Sequence, residues 1–346
     1  MSSMCVFRAD ANAEIGSGHF MRSLSLAAEW VKLGNRAVIA GRAPEEFVRR
    51  AVGYGVDHRT FAGTDSVEDD APLLISICSE LSAQIVCIDG YQFSPKYVER
   101  VRSSGVPVIE FTDGPIWSDY QSDLLLDQNL GAEKQIYEIA EHTRELKGVK
   151  YACLAPQFIE QSGGVRSTSG ETLNVLVSMG GADPQNATVT ILNALLEIDE
   201  SMTLTITVGI SNPQQNEIAE LMGQFTNGRV LVDAQNMSEL MASSDIAIVA
   251  AGSTSWELAF MGVPALLTSV ADNQVRIAEQ LHEAGAAVDL GRIENLPSES
   301  LTQNLITLIR DRDLRSQMSL KGRGLVDGKG ASRVVVEMQK LVGPLA

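Results

Sequence analysis

The stretch "MCVFRADANAEIGSGHFMRSLSLAAEW", Met4 to Trp30, decides how this chain is read. An apolar run ends at Arg8, a glycine-rich turn follows, and apolar residues then recur at helical spacing from His19 to Leu33. Strand, turn and helix in that order are the opening unit of a parallel α/β sheet. Gly18 lets the backbone approach a ligand closely, and the start of a helix offers N–H groups that have no partner within the helix. The chain has only four histidines, and one stands at this turn. Either Gly16 and Gly18 simply make a tight turn, or His19 is aimed at a ligand. The positive end of a helix disfavours the imidazolium form, and a neutral imidazole accepts a proton from water or a hydroxyl. Arg8, Asp10 and Arg22 lie near enough in sequence to share such a site. Arg22 fits equally well as a structural ion pair one turn up.

The same alternation continues along the chain. "RAVIAG", "QIVCIDG", "VPVIEFTD" and "DLLLDQN" are strand-like in the first half. "LNVLVSMGG", "LTITVG", "RVLVD", "DIAIVAAG" and "PALLTSV" are strand-like in the second. Helical patterns fall between them, among them 44–52, 187–198 and 274–284. Continuous apolar strands separated by helices indicate parallel sheets covered on both faces. The pattern breaks once, at "FIEQSGGVRSTSGET", 158–172, where Ser, Gly and Thr replace apolar periodicity. The expected division is a Rossmann-like domain over 1–158 carrying His19, a linker over 159–172, a second Rossmann-like domain over 173–329, and a closing helix over 330–346. A chain of 346 residues fits two such domains. The fold class expected is α/β, two Rossmann-like domains facing a central cleft.

A formal charge of −17 argues against a polyphosphate partner, and no Lys/Arg cluster offers a local exception. Nucleic acid is therefore not an expected ligand. One phosphorylated small molecule can still be held by backbone N–H groups and helix N-termini, which do not register in net charge. The N-terminus is no secretory signal, and no run nears the roughly 18 apolar residues of a membrane span. A cytoplasmic protein without membrane insertion is expected. The four cysteines show no metal-ligand spacing, and Cys5 and Cys87 sit in strand-like runs as small buried hydrophobes.

In open α/β sheets ligands bind outside the carboxyl ends of the strands, so the informative residues should follow strands. In "SMGGADPQNATV" a strand ends in Gly180-Gly181, and Asn186 takes an N-cap position. In "VAAGSTSWELAF" a strand ends at Gly252, and Ser253 and Thr254 open a helix with Glu257 on its first turn. That carboxylate could accept both hydroxyls of a ribose. The alternative is plain capping by Ser253 or Thr254, with Glu257 favoured by the helix dipole. Asn273 and Gln274, in "SVADNQVRIAEQL", either meet sugar hydroxyls or cap.

"GSGHFMRSLSLA", "FTDG", "KGVKYACLAPQF", "SMGGADPQN" and "AGSTSWELAFMGVPALL…ADNQ", in this order, resemble a known family. It is the UDP-2,4-diacetamido-2,4,6-trideoxy-β-L-altropyranose hydrolase family of pseudaminic acid biosynthesis, with its spore-coat-polysaccharide relatives. The resemblance runs from Met4 to the closing "LVDGKGASRVV" and implies a glycosyltransferase B-like architecture. It also implies an inverting, metal-independent hydrolase without cofactor, releasing UDP from a UDP-sugar. Carried over, His19 is the general base. Gly180, Gly181, Asn186, Gly252, Ser253, Thr254 and Glu257 hold UDP. Arg8, Gly18, Arg22, Tyr91, Asn273 and Gln274 belong to the substrate site. The sequence departs from the family at Ala155, where arginine is frequent, so no role of that arginine carries over. A glycosyltransferase whose acceptor hydroxyl replaces water, or a UDP-sugar sensor without turnover, are the rival readings.

His58, His142 and His282 lie among polar residues without a paired carboxylate and are expected at the surface. Trp30 falls on the packing face of its helix, and Trp117 follows "FTDGPI" in a loop. Asp65 and the acidic run 68–70 are expected as a solvated face.

Overall fold

The computed structural model describes residues 2–12, 15–61, 67–161 and 172–343. Most of the expected linker therefore lies outside the described residues. The chain forms two units, Met1–Pro156 with Gly328–Ala346, and Gln157–Asp327.

The first unit is a seven-stranded sheet in the order β3-β2-β1-β4-β5-β6-β7, with all neighbours parallel. Its strands are β1 (Met4–Ala9), β2 (Arg36–Gly41), β3 (Asp57–Thr60), β4 (Ile85–Asp89), β5 (Val108–Phe111), β6 (Leu124–Asp127) and β7 (Arg144–Lys147). Its helices are α1 (Gly18–Lys32), α2 (Glu45–Gly53), α3 (Val67–Glu80) and α4 (Pro95–Arg102). A short α5 (Pro156–Gln161) spans the boundary between the units, so three positions of the expected linker, 159–161, are helical.

Strand alternation sorts the core onto two faces. Cys5, Phe7, Ile85, Cys87, Ile109 and Phe111 pack with Phe20, Leu24, Ala27 and Trp30 of α1. Val6, Val86, Ile88 and Val108 pack on the opposite face with Leu74, Tyr97 and Val98. All four cysteines are free and buried. β3 ("DHRT") and β7 ("RELK") are edge strands with little apolar patterning, and so they escape a reading based on buried strands.

The second unit is a six-stranded sheet in the order β10-β9-β8-β11-β12-β13, again parallel throughout. Its strands are β8 (Leu173–Ser178), β9 (Met202–Val208), β10 (Gly228–Val232), β11 (Ile246–Ala250), β12 (Ala265–Ser269) and β13 (Ala287–Arg292). The helices are α6 (Ala187–Leu195), α7 (Gln215–Met222), α8 (Met237–Ser243), α9 (Thr254–Met261), α10 (Asp272–Glu283), α11 (Ser298–Arg310) and α12 (Arg312–Leu325). The closing helix α13 (Gly330–Val342) returns to the first unit. Its Ala331, Val334, Val335 and Met338 join the α1 face of that core. Gly330 is needed there, because a Cβ would stand 2.1 Å from the Ala152 carbonyl oxygen.

In both sheets the strand order reverses beside the first strand, between β1 and β4 and between β8 and β11. Those are the switch points at which a doubly wound sheet leaves room for ligand loops.

Candidate active site

At the switch point of the first sheet, β1 runs into the loop that precedes α1. Asn12 and Gly16 bridge across a tight turn, with Gly16 at a φ of +75° that favours glycine. Gly18 opens α1, and a Cβ placed there would meet nothing within 4 Å. His19, Arg22 and Ser23 then stand at i, i+3 and i+4, on one face of the helix. All three reach Asp89, the last residue of β4. Its parity with Ile85 and Cys87 turns it to the α1 face of the sheet.

Asp89 is fully buried and its two oxygens are densely bonded. Arg22 Nε donates to Oδ2 and Nη2 to Oδ1, both at 2.7 Å, and Ser23 Oγ adds a donor at 3.3 Å. His19 Nδ1 lies 2.7 Å from Asp89 Oδ1 and 3.2 Å from Arg22 Nη2. The carboxylate can only accept, so Nδ1 is the donor in this bond, and in the neutral ring Nε2 is then the accepting nitrogen. Burial works against ionised Asp89, but Arg22 and His19 outweigh it and hold the carboxyl below its ordinary range.

Arg22 also reaches Asp113, in the loop after β5, at 2.7 Å through Nη1, and its guanidinium stands 4.9 Å from the Phe111 ring centroid. Asp113 accepts further hydrogen bonds from the Tyr91 hydroxyl and from Asn129 Nδ2. The Tyr91 ring and the His19 imidazole form a T-shaped pair, 4.5 Å between centroids and 85° between planes. Burial disfavours ionised Asp113, but Arg22 and Tyr91 reverse this and hold its carboxyl well below the carboxylate range. Tyr91 is pushed the other way, by burial and by the Asp113 anion, and stays protonated. Of the residues expected here, the structure brings His19, Gly18, Arg22 and Tyr91 together. Asp89 and Asp113 were missed, although "IVCIDG" and "FTDG" each place an acid at the end of a buried strand.

Arg8 is a correction. Strand alternation puts it with Val6 on the face away from α1. There it is 3% exposed and donates to Asp10 at 2.6 and 2.9 Å and to Asp70 at 2.7 and 3.2 Å. Its guanidinium stands 4.5 Å from the Phe61 ring centroid and 4.8 Å from that of Phe93. Two buried carboxylates and two rings occupy it, so it is structural. Asp10 goes with it, and also holds Arg42 N and Gln92 Nε2. Asp70 corrects a second expectation. It is no part of a solvated face but is buried, accepting from Arg8 and from the Tyr97 hydroxyl. Asp65 lies outside the described residues. His58 is half-buried on β3, and burial lowers its basicity, whereas His142 and His282 are exposed. Trp30 is buried as expected, and Trp117 packs on the cluster of Tyr120, Leu125 and Tyr137. Ala155 is buried.

In the second unit Gly180 takes a φ of +91°, and a Cβ at Gly180 or Gly181 would meet nothing within 4 Å. Asn186 holds the N-cap position of α6, as expected, but its side chain does not cap the helix. It adopts the left-handed conformation and makes no capping hydrogen bond. The carboxylate of Asp183 accepts instead from Ala187 N and Thr188 N, both at 2.8 Å. A carboxylate matches the positive helix end better than a neutral amide.

Ser253 stands at the N-terminus of α9 and makes no side-chain capping bond, and Thr254 and Glu257 occupy the first turn. Gln274 lies beside the Gly252 loop, its Nε2 3.9 Å from where a Cβ on Gly252 would stand. Its Oε1 accepts from Val270 N at 3.0 Å, so half of that amide shapes its own loop. Asn273 is exposed beside it on the first turn of α10. Among the described residues, no group of three or more His, Cys, Asp or Glu could hold a metal ion. No helix among them is long and apolar enough to cross a membrane.

Two doubly wound parallel α/β units, each with polar loops at its switch point, define the class as glycosyltransferase B-like. The solved structure of MurG from Acinetobacter baumannii matches over 98% of this chain and 99% of its own, with a TM-score of 0.67 at 17% identity. Residues 174–329 match the glycosyltransferase family 28 C-terminal domain. The chain is also similar to the spore coat polysaccharide biosynthesis protein SpsG of Bacillus subtilis, 28% identical over 64% of this chain and 65% of that protein. Its match to the UDP-2,4-diacetamido-2,4,6-trideoxy-beta-L-altropyranose hydrolase of Campylobacter jejuni is 23% identical and spans 82% of this chain and 98% of that enzyme.

Proposed function

We propose that this protein is a nucleotide-sugar hydrolase that releases UDP from UDP-2,4-diacetamido-2,4,6-trideoxy-β-L-altropyranose, or from a close relative of that sugar. The observation that carries the reading is the hydrogen bond from His19 Nδ1 to buried Asp89, which leaves Nε2 as a fixed acceptor. Water donates its proton to Nε2 as its oxygen attacks the anomeric carbon. The carbon–oxygen bond to the diphosphate breaks on the opposite side, so the configuration inverts and UDP leaves with the bonding electrons. Asp89 orients the imidazole and offsets the charge that the proton brings.

In this reading the second unit holds UDP. Gly252, Ser253 and Thr254 meet the diphosphate at the start of α9, and Glu257 meets the ribose. Gly180 and Gly181 leave room for the ligand backbone, with Asn273 and Gln274 toward the sugar. Asn186 stays a candidate contact without a capping role. The similarity to an enzyme named as this hydrolase supports the substrate class.

The glycosyltransferase family 28 match over 174–329 favours a second reading, in which an acceptor hydroxyl replaces water. Incubation with a panel of UDP-sugars, with and without acceptor sugars, separates the two. The hydrolase reading expects UDP and free sugar at equal rates in both arms, and full loss of turnover in His19→Asn. UDP release only when an acceptor is present would overturn it.

A further inference from the structure

We propose that Asp113 is a positioning residue for His19, setting both the charge around the imidazole and the stance of the Tyr91 ring against it. The inference rests on the reading of His19 as the base but assigns a function to a residue that never touches the reacting atoms.

The charged and titratable groups facing His19 among the described residues come from four segments. They are Arg22 on α1, Asp89 at the end of β4, Tyr91 in the loop after β4, and Asp113 in the loop after β5. With a neutral imidazole, one guanidinium faces two carboxylates and the cluster carries one excess negative charge. A proton arriving on Nε2 cancels it. Without Asp113, Arg22 would neutralise Asp89 by itself, and the arriving proton would meet no excess negative charge. Asp113 therefore makes proton uptake at His19 more favourable, although its own bonds go to Arg22, Tyr91 and Asn129.

Its second hand is mechanical. By accepting the Tyr91 hydroxyl, Asp113 holds the ring in its T-shaped contact with the imidazole, which is thereby fixed by two neighbours, Asp89 at Nδ1 and the Tyr91 ring. Asp113 is itself anchored by Asn129, whose Nδ2 is shared with Asp127 at 2.8 Å. The loop that carries it is braced by the buried hydroxyl of Tyr120. That hydroxyl donates to Gly114 O and accepts from Ile116 N and Trp117 N, within 3.1 to 3.3 Å. The Tyr91 hydroxyl donates to Asp113, so the contact Tyr91 offers a sugar is its ring or its oxygen lone pair.

The test follows the His19 ring by NMR, its resonance assigned by its disappearance in His19→Asn, alongside UDP release across pH. In Asp113→Asn, and in the smaller uncharged Asp113→Ser if the first does not fold, the His19 titration midpoint should move to lower pH. The pH–rate profile should move with it, with kcat lowered and KM little changed. Tyr91→Phe keeps the charges and the ring but releases the latch, so it should lower kcat without moving the midpoint. An unmoved midpoint in a folded uncharged variant, or wild-type kcat in Tyr91→Phe, would overturn the proposal. If the wild-type protein turns over no UDP-sugar while the midpoint still moves, the hydrolase reading fails and the positioning role stands.

Discussion

A proton acceptor has to be held, not merely present, and at the residue scale the holding is done by Asp89. It binds His19 Nδ1, Nε and Nη2 of Arg22 and the Ser23 hydroxyl, with no exposure of its own. Asp89→Asn keeps the shape but replaces an acceptor that demands Nδ1–H with an amide that also tolerates the other tautomer. Turnover should fall by roughly the 10²–10⁴ associated with general-base catalysis, because the free nitrogen is no longer reliably the one facing water. The substitution also removes the buried carboxylate that neutralises Arg22, so a loss of stability should accompany it. On the proposed reading UDP affinity by calorimetry should be unchanged, and thermal unfolding of the same preparation separates a lost base from a lost fold.

At the scale of elements, the two sheets solve the same problem with different chemistry. Each has a strand-to-helix loop beside the switch point, and in each the neighbouring strand needs a glycine to let that loop lie close. A Cβ at Gly41 would come within 2.0 Å of the Ala9 carbonyl oxygen, and one at Gly209 within 1.9 Å of the Gly181 carbonyl oxygen. The helix starts differ. Ser17 at the start of α1 makes no side-chain cap, whereas Asp183 supplies the cap of α6 with two charge-assisted bonds. Asp183→Ala should therefore destabilise the protein by about 1–2 kcal/mol, as loss of a capping carboxylate does. Urea unfolding checks this, and an unchanged midpoint would show that Asn186 or water replaces the cap.

Across the whole molecule, one buried acid stands apart from the site. Glu110 on β5 is 3% exposed, its Oε2 has no hydrogen-bond partner, and burial pushes its carboxyl up to about 8. A raised carboxyl holds its proton in the folded state over a range where the unfolded chain has released it. Its contribution to stability is therefore complete below about 4.5 and is lost as pH rises toward 8. Asp89 and Asp113 act in the opposite sense, since their depressed carboxyls add stability above the unfolded carboxylate range and lose it as pH falls. Thermal unfolding should thus show its maximum in mildly acidic solution. Glu110→Gln should flatten the decline above pH 5 and raise stability at pH 8 by an amount on the order of a few kcal/mol. An unaltered decline in that variant would mean that Glu110 ionises freely in the fold.

The two parallel α/β units were legible in the sequence because short apolar, β-branched runs alternate with helical patterns along it, the signature of parallel strands covered on both faces. The sequence also placed His19, Gly18 and the Gly252–Glu257 segment after strands, where a doubly wound sheet puts its ligand loops. The polar edge strands β3 and β7 escaped it for the same reason the central ones did not: they bury too little to be patterned. Which charges meet was settled by the fold. Asp89 is 70 residues from His19, and Asp113 is 91 from Arg22, and no local spacing encodes pairs so distant. Arg8 lies nearer to His19 in sequence than either acid, yet one step of strand alternation sends it to the far face, where Asp10 and Asp70 bind it. Proximity along the chain fixes an element; the side of the sheet a residue faces, and the strand beside it, fix its chemistry.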